Sequence, residues 1–386
     1  MVAACPFPYS RGTPIRIFHL ARALAQRGHE IHVVTYHLGD ETVTGDLRLH
    51  RIPNVRTYRK FSPGPTYQKL VVLDSLLALE LIRLLRRRRM DVIHAHHVEG
   101  LLAALPARRL NRTPIVFDAH TLLELELPYY ALGLTAATTN RLGRFLDRRL
   151  PRRADHTIAV TEDIRLRLLE LGAVQADRIS VIWNGAAQQL LDLRRMSPQG
   201  ETRTAIFTGN LASYQGIDLM LQAFASLRAT RRDVRLLIVS ADRFTDYEVL
   251  ARDLGIRDAI DVTQAGFDRV PEHLARADIA LNPRIDCPGV PQKLLNYMAA
   301  GMPIVSFAGS GRFLAAGEHG IVVRDGDTEG FAQAMACLLD DHALARRLGD
   351  SARCFAAAEL SWNRAAELTE EVYASVLEKT GKSRND

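Results

Sequence analysis

Cysteine is scarce in this chain: there are four in 386 residues, Cys5, Cys287, Cys337 and Cys354, and none pairs with another at metal-ligand spacing. Such a set neither staples a small secreted fold nor builds a zinc module, and it fits a reducing cytosol. A secretory leader is also missing. Met1 to Cys5 is apolar but short and has no basic segment before it, so it reads as the end of a first β-strand. The strand starts so abruptly that a few residues upstream are to be expected. There is no helix-turn-helix, no zinc spacing and no interleaving of aromatic with basic residues, which argues against nucleic acid as a partner. The most apolar helical pattern, Tyr67 to Arg89, is broken by Asp74 and Glu80 and is too short to span a bilayer. No internal repeat is evident.

What is present suits two packed domains: 47% of residues are hydrophobic and 24% charged. The charge is uneven. Up to Arg178 there are 27 Lys and Arg against 17 Asp and Glu, a balance of +10, and the rest of the chain has a balance of −4. A basic first half points to an anionic partner, for which a membrane surface or a phosphorylated lipid acceptor is the better expectation. Two clusters carry the idea: Arg86 to Arg89, and Arg141, Arg144, Arg148, Arg149, Arg152 and Arg153. The first also has a plain reading, as the dipole-favoured end of a core helix.

Short β-branched apolar runs alternate with longer helical patterns. The spacing predicts strands at Met1–Cys5, Glu30–Thr35, Val92–Ala95, Ile115–Asp118 and His156–Val160, with helices at Pro14–Arg27, Tyr67–Arg88, Gly100–Leu110, Thr139–Leu150 and Glu162–Leu171. A second series follows, at Ala205–Thr208, Arg235–Ser240, Ile260–Gln264, Ile279–Asn282, Ile304–Ser306 and Gly320–Val323. Runs buried on both faces and separated by helices indicate parallel strands with βαβ crossovers. The fold class is therefore α/β, with two Rossmann-like doubly wound domains facing across a cleft at the carboxyl ends of the strands. We place the domains at 1–184 and 185–363, with a linker-like stretch at Arg194–Thr204. A last helix follows from Ser361-Trp362, and the charged tail Lys379–Asp386 is expected to fray.

The most informative stretch is Pro288 to Val305: a glycine turn, an amphipathic helix, a glycine stop, a proline and a buried strand. Gly289 permits close backbone approach, and the first helical turn offers unpaired N–H groups to an anion. Lys293 sits in that turn, where a cation opposes the helix dipole, so a bound anion explains it better than helix stability does. Asn296, three residues on, shares its face. At the end of the first strand, Pro8 to Pro14 form a glycine loop ahead of a helix, with Arg11 available to an anion and Gly12 and Thr13 beside it. Asp118-Ala119-His120 ends another strand, so His120 could donate a hydrogen bond to a sugar or a leaving oxygen, or could be structural. Glu124 and Glu126, just beyond, could bind acceptor hydroxyls, with a solvated turn the preferred reading. His94, His96 and His97 look like a metal cluster but have no carboxylate or cysteine at ligand spacing, so packing is the preferred role.

The stretch Gly289 to Ala299, with Gly-x-Pro-x-Lys-Leu-x-x-Tyr-Met-Ala, resembles a variant branch of the family 4 glycosyltransferases, which have the GT-B architecture. The resemblance covers nearly the whole chain. The usual family pattern has two glutamates where this chain has Pro288 and Asn296. Thr208 to Asp218 resembles the family's Gly-Arg-Leu…Lys-Gly segment, whose Arg and Lys bind the donor diphosphate; here Asn210 and Gln215 stand in their place after Gly209. Amides can bond phosphate oxygens but bring no Coulomb attraction. Lys293 and Arg284 could supply it, with solvation the plain alternative for Arg284 and the preferred one for Arg312.

The resemblance implies a retaining transfer of sugar from a nucleotide diphosphate donor to a lipid-linked or glycan hydroxyl, in the cytoplasm or at the inner face of the cell membrane, in cell-envelope glycan or glycolipid synthesis. It implies no metal and no cofactor. Gly209, Asn210, Gln215, Arg284, Gly289, Val290, Lys293, Leu294 and Asn296 would meet the donor. His120 would be catalytic, with Arg11, Gly12, Thr13 and Asp118 on the acceptor side. It also implies that the last helix, about 364–386, crosses back onto the first domain. Loss of both glutamates and both usual cations leaves open an inactive nucleotide- or sugar-binding subunit, and a GT-B epimerase is a further alternative.

Overall fold

The computed structural model describes residues 1–9, 12–39, 45, 47–61, 66, 68–130, 135–194, 202–265, 269–287 and 289–381. Arg11, Pro288 and most of the linker-like stretch and charged tail lie outside them. The chain divides into two compact units, Met1–Gly185 with Trp362–Asp386, and Ala186–Ser361.

The first unit holds seven strands among the described residues: β1 (Val2–Ala3), β2 (His32–Thr35), β3 (Arg48–Arg51), β4 (Ile93–His96), β5 (Ile115–Ala119), β6 (His156–Ala159) and β7 (Ile179–Val181). They are ordered β3-β2-β1-β4-β5-β6-β7, and every pair is parallel. The second unit holds β8 (Arg203–Thr208), β9 (Val234–Ser240), β10 (Ile260–Gln264), β11 (Ile279–Asn282), β12 (Ile304–Phe307) and β13 (Ile321–Val323), ordered β10-β9-β8-β11-β12-β13 and again all parallel. Each sheet reverses its winding beside its first strand, between β1 and β4 and between β8 and β11. The carboxyl ends of the strands there are where an open α/β sheet binds ligands.

The central strands are buried on both faces, as in β5 and β12. That is why they read as mainly apolar runs, with a polar residue only near the carboxyl end, Asp118 in β5 and Ser306 in β12. The two strands that the periodicity does not announce are both edges. β3 is Arg-Leu-His-Arg and half exposed, and β7 has only three residues. An edge strand carries polar residues where a central one cannot.

The helical pattern expected from Tyr67 is not uniform: a π-helical turn, Lys69–Leu73, leads into the α-helix Asp74–Arg87. Leu73, Leu77, Leu81 and Leu84 form its buried stripe, while Leu70, Val71, Val72 and Leu79 face solvent. The last helix, Trp362–Lys379, packs against the helix Gly12–Gln26 within the first unit, burying Ala366, Val372 and Val376 against Ile17, Leu20 and Leu24. No described helix is long and apolar enough to cross a membrane.

Candidate active site

In the first unit, register sets the geometry. His96 pairs with Ala3 on one side and Asp118 on the other, so β1, β4 and β5 end at one level. Asp118 is fully buried, and its Oδ2 lies 2.9 Å from Arg16 Nε, 3.3 Å from His94 Nε2, 3.3 Å from His96 Nδ1 and 3.8 Å from His120 Nε2. Burial alone would raise the Asp118 pKa; the Arg16 guanidinium and, after it, the surrounding histidines hold it well below the usual range. Arg16 also donates to Trp183 O at 3.2 Å and Asn184 Oδ1 at 3.0 Å. Asp118 therefore fixes its neighbours and is too enclosed to touch a ligand. His120 is largely buried, and burial, with Arg16 opposing protonation as well, drops its pKa to about 3 although Asp118 works the other way. It is a neutral imidazole at physiological pH, able to donate one hydrogen bond. Gly12 opens its helix at φ +46°, with open space where a side chain would stand, and Thr13 follows it.

The histidine reading needs correction. Asp118, from the neighbouring strand, supplies the carboxylate that spacing along the chain does not show. One nitrogen each of His94 and His96 and one Asp118 oxygen lie within 4.8 Å of one another, so the three could hold a metal ion by distance. Arg16 already places a cation on that same oxygen, and His94 Nδ1 bonds the Tyr373 hydroxyl at 2.6 Å. A divalent ion would face a buried guanidinium, so the donor set suits a hydrogen-bonded scaffold better.

The reading of Glu124 and Glu126 as a solvated turn is also corrected. Glu124 is buried and takes Arg167 Nε and, at 3.2 Å, Arg144 Nε. Glu126 accepts from Thr121 Oγ1 and the Tyr130 hydroxyl and lies 3.1 Å from His97 Nε2. Glutamates at alternate positions look like a wet turn, because their arginine and histidine partners are distant in sequence.

In the second unit, β8 is followed directly by Gly209, whose φ of +136° suits glycine alone; a Cβ there would stand 3.3 Å from Lys293 Nζ. Lys293 is the second residue of the helix Gln292–Ala299 and is buried. Its ammonium donates to Gln215 Oε1 at 2.8 Å and lies 3.8 Å over the Phe207 ring. Gln215 in turn donates to Asn210 Oδ1 at 3.1 Å, and Asn210 to the Tyr214 hydroxyl at 2.9 Å. The Arg284 guanidinium covers the Tyr214 ring at 4.8 Å, and its Nε bonds the Asp286 carbonyl. Arg312 reaches Cys287 O at 2.9 Å.

No carboxylate pairs with Lys293 among the described residues. Burial, then Arg284, pushes its pKa well below the lysine value. Asn296 is 1% exposed, yet among the described residues neither Nδ2 nor Oδ1 has a hydrogen-bond partner. A buried amide with both ends open costs free energy unless something outside the chain completes it. Gly289, at φ +108°, and Val290 precede the helix and are partly exposed. Leu294 is wholly buried with its N–H bonded to Pro291 O at 2.9 Å, so its side chain is core.

The structure thus gathers Gly209, Asn210, Gln215, Arg284 and Lys293, and it gathers His120 with Asp118. Phe207 and Arg16 were not expected, whereas His97 and Glu126 were singled out but assigned to packing and to a solvated turn. Arg16 had a signal, since it lies on the same helical face as Leu20, Ala23 and Leu24.

Residues 10–188 match the family described as Glycosyltransferase Family 4, and residues 202–341 match Glycosyl transferases group 1. A D-inositol 3-phosphate glycosyltransferase of Corynebacterium aurimucosum is 28% identical over 314 residues, covering 74% of this chain and 72% of that protein. The N-acetyl-alpha-D-glucosaminyl L-malate synthase of Bacillus anthracis is 25% identical, covering 97% of each. Among solved structures, Anabaena HepE in complex with UDP superposes with a TM-score of 0.75 at 17% identity, over 97% of this chain and 98% of that one.

Proposed function

Since the chain belongs to the family 4 glycosyltransferases and is a GT-B enzyme of that kind, we propose that it moves a sugar from a nucleoside diphosphate donor to a hydroxyl acceptor with retention of configuration. The observation that carries the donor half is Lys293, a buried lysine with no carboxylate partner among the described residues, three positions before the open amide of Asn296. A diphosphate would give Lys293 its counter-charge. Asn210 and Gln215 would add neutral hydrogen bonds, and Arg284 a second cation. The names of the similar proteins agree in kind: HepE was solved with UDP.

In the transfer, the bond from the anomeric carbon to the diphosphate oxygen breaks and a bond to the acceptor oxygen forms on the same face. The acceptor's proton leaves with the departing phosphate as its nearest base. The oxocarbenium-like sugar between them needs hydrogen bonds, which neutral His120 and the loop of Gly12 and Thr13 would supply. Asp118, locked to Arg16, is not the nucleophile. Two protein cations provide the charge that a metal would otherwise bring, so we read the enzyme as independent of metals and cofactors.

The test is a binding and hydrolysis screen of UDP-, GDP- and ADP-sugars, with EDTA present in parallel. Slow nucleotide release from one donor, unchanged by EDTA, is expected. Binding without release would favour a catalytically inactive subunit, a reading that the missing glutamates keep in play. Loss of release with EDTA would remove the metal-independent mechanism.

The acceptor is taken to be lipid-linked or glycan, in envelope synthesis on the cytoplasmic side of the membrane. On the helix Ala136–Arg149, Leu142 and Phe145 are exposed among Arg141, Arg144, Arg148 and Arg149, which suits an anionic lipid surface. Co-sedimentation with anionic vesicles should occur at low salt and vanish at high salt. No binding at low salt would end this part of the proposal.

A further inference from the structure

Four charged side chains close on one another in the first unit, beside His120. His97 follows β4 directly and adopts φ +63°. Among the described non-glycine residues the only other positive φ is that of Arg112, an ordinary helix cap. A histidine held there is fixed by its surroundings. Its Nδ1 bonds Glu99, and its Nε2 lies 3.1 Å from Glu126 Oε2 and 3.2 Å from Thr121 Oγ1. Glu99 also takes the Lys69 ammonium at 2.8 Å, from the π-helical turn. Burial would discharge His97, but the two carboxylates outweigh it and raise its pKa to about 10. Two positive and two negative charges therefore cancel.

These groups are sheltered but reachable: the side chains of Lys69, Glu99, His97 and Glu126 are 13%, 16%, 17% and 24% exposed. The His97 and His120 rings lie 6.3 Å apart.

We propose that this cluster is the acceptor subsite, and that it selects an uncharged polyhydroxyl ring, a sugar or polyol, over a phosphorylated or carboxylated one. The proposal rests on the transferase reading above. An anionic acceptor requires an uncommitted cation, and both cations here are committed at hydrogen-bond distance. Moving either to a ligand phosphate would strand a sheltered carboxylate. Asp74, which also faces Lys69 and Glu99, is another carboxyl, bonded by the Tyr36 hydroxyl; the Cys5 thiol and neutral His120 bring no cation either.

The unused bonding capacity points the same way. Among the described residues Glu126 Oε1 receives only Tyr130, and each Glu99 oxygen receives one donor, so lone pairs remain while both His97 nitrogens are occupied. Lys69 retains N–H groups, but its charge is spent on Glu99. A ligand meeting spare lone pairs must donate hydrogen bonds. Hydroxyls do so; a phosphate dianion cannot.

The experiment uses the full chain with UDP-glucose, or whichever nucleotide sugar the screen above finds hydrolysed. Nucleotide release is measured with methyl glucosides and myo-inositol, and separately with glucose 6-phosphate, inositol phosphate and malate. Neutral compounds should stimulate release, their charged counterparts about tenfold less, as for loss of a charged hydrogen bond. Glu126→Gln and, as the milder change, Tyr130→Phe should raise the acceptor KM about fivefold or more, leaving nucleotide Kd, which is set in the second unit, unchanged. Preference for the charged compounds, no stimulation by any neutral one, or an unchanged acceptor KM in both variants overturns the proposal. Failure of the wild type to bind any nucleotide sugar overturns the donor reading first, and this one with it.

Discussion

Lys293 donates to Gln215 across 2.8 Å, from a helix to the turn after β8. By the resemblance drawn from the sequence, Gln215 would stand where the family's pattern has a lysine; the cation would then lie on the opposite side of one hydrogen bond, with the amide as its acceptor. Replacing Lys293 with Ala should weaken nucleotide binding by about 1.5–3 kcal/mol, the range for hydrogen bonds to charged groups. Isothermal titration with the bound nucleotide measures this. An affinity equal to wild type would remove Lys293 from the donor site.

The same burial sets a pair of opposed pH trends. The folded protein holds the Lys293 pKa well below its ordinary value, through burial and then Arg284. Between the folded and ordinary values the unfolded chain binds more protons, so stability relative to Lys293→Met should rise with pH across that window. Nucleotide affinity should fall across it, because the diphosphate holds the protonated form. Denaturant melts and titrations of both proteins over neutral to alkaline pH would show this. If both quantities move in one direction, the lysine is not the shared origin.

The interior was legible because central parallel strands are largely apolar on both faces, so β5, β11 and β12 stood out as runs. The edges β3 and β7 did not, being polar or only three residues long. At the site, Lys293 was readable as a cation at the wrong end of a helix dipole, and Asn296 by its register with Lys293. Arg16 with Asp118, and His97 with Glu126, were not, because each pair is joined by strand register or by a loop fold. A lone glutamate beside a leucine looks solvated until its partner, 20 to 43 residues away for Glu124, is in place.

Arg16 and Asp118 form an ion pair with almost no exposure, 2% and 0%. Asp118→Asn would leave the guanidinium buried with only Trp183 O and Asn184 Oδ1 for company. Breaking such a pair on one side costs about 3–5 kcal/mol. Arg16→Met in the same chain should recover part of that loss, and urea melts of the two single variants and the double give the coupling. Asp118's pKa is depressed, so its contribution should be whole at neutral pH and disappear only in acid, below the ordinary aspartate value of about 3.9. Additive losses in the cycle would show that the pair is not a unit.

Gly216 and Gly255 have nearly the same backbone, φ +70° and +67°, but different surroundings. A Cβ on Gly216 would stand 2.2 Å from Pro283 O, whereas one on Gly255 meets nothing within 4 Å. Alanine at either position bears the left-handed penalty of about 1–2 kcal/mol. Only at Gly216 must the turn after β8 also separate from the loop after β11, and that loop carries Arg284. Gly216→Ala should therefore melt well below Gly255→Ala and lose nucleotide affinity, while Gly255→Ala binds as wild type does. Equal melting temperatures would mean that the two loops yield freely. In that case the close approach of their backbones would not be what holds Arg284 against Tyr214, and the donor cradle would owe its shape to Lys293 alone.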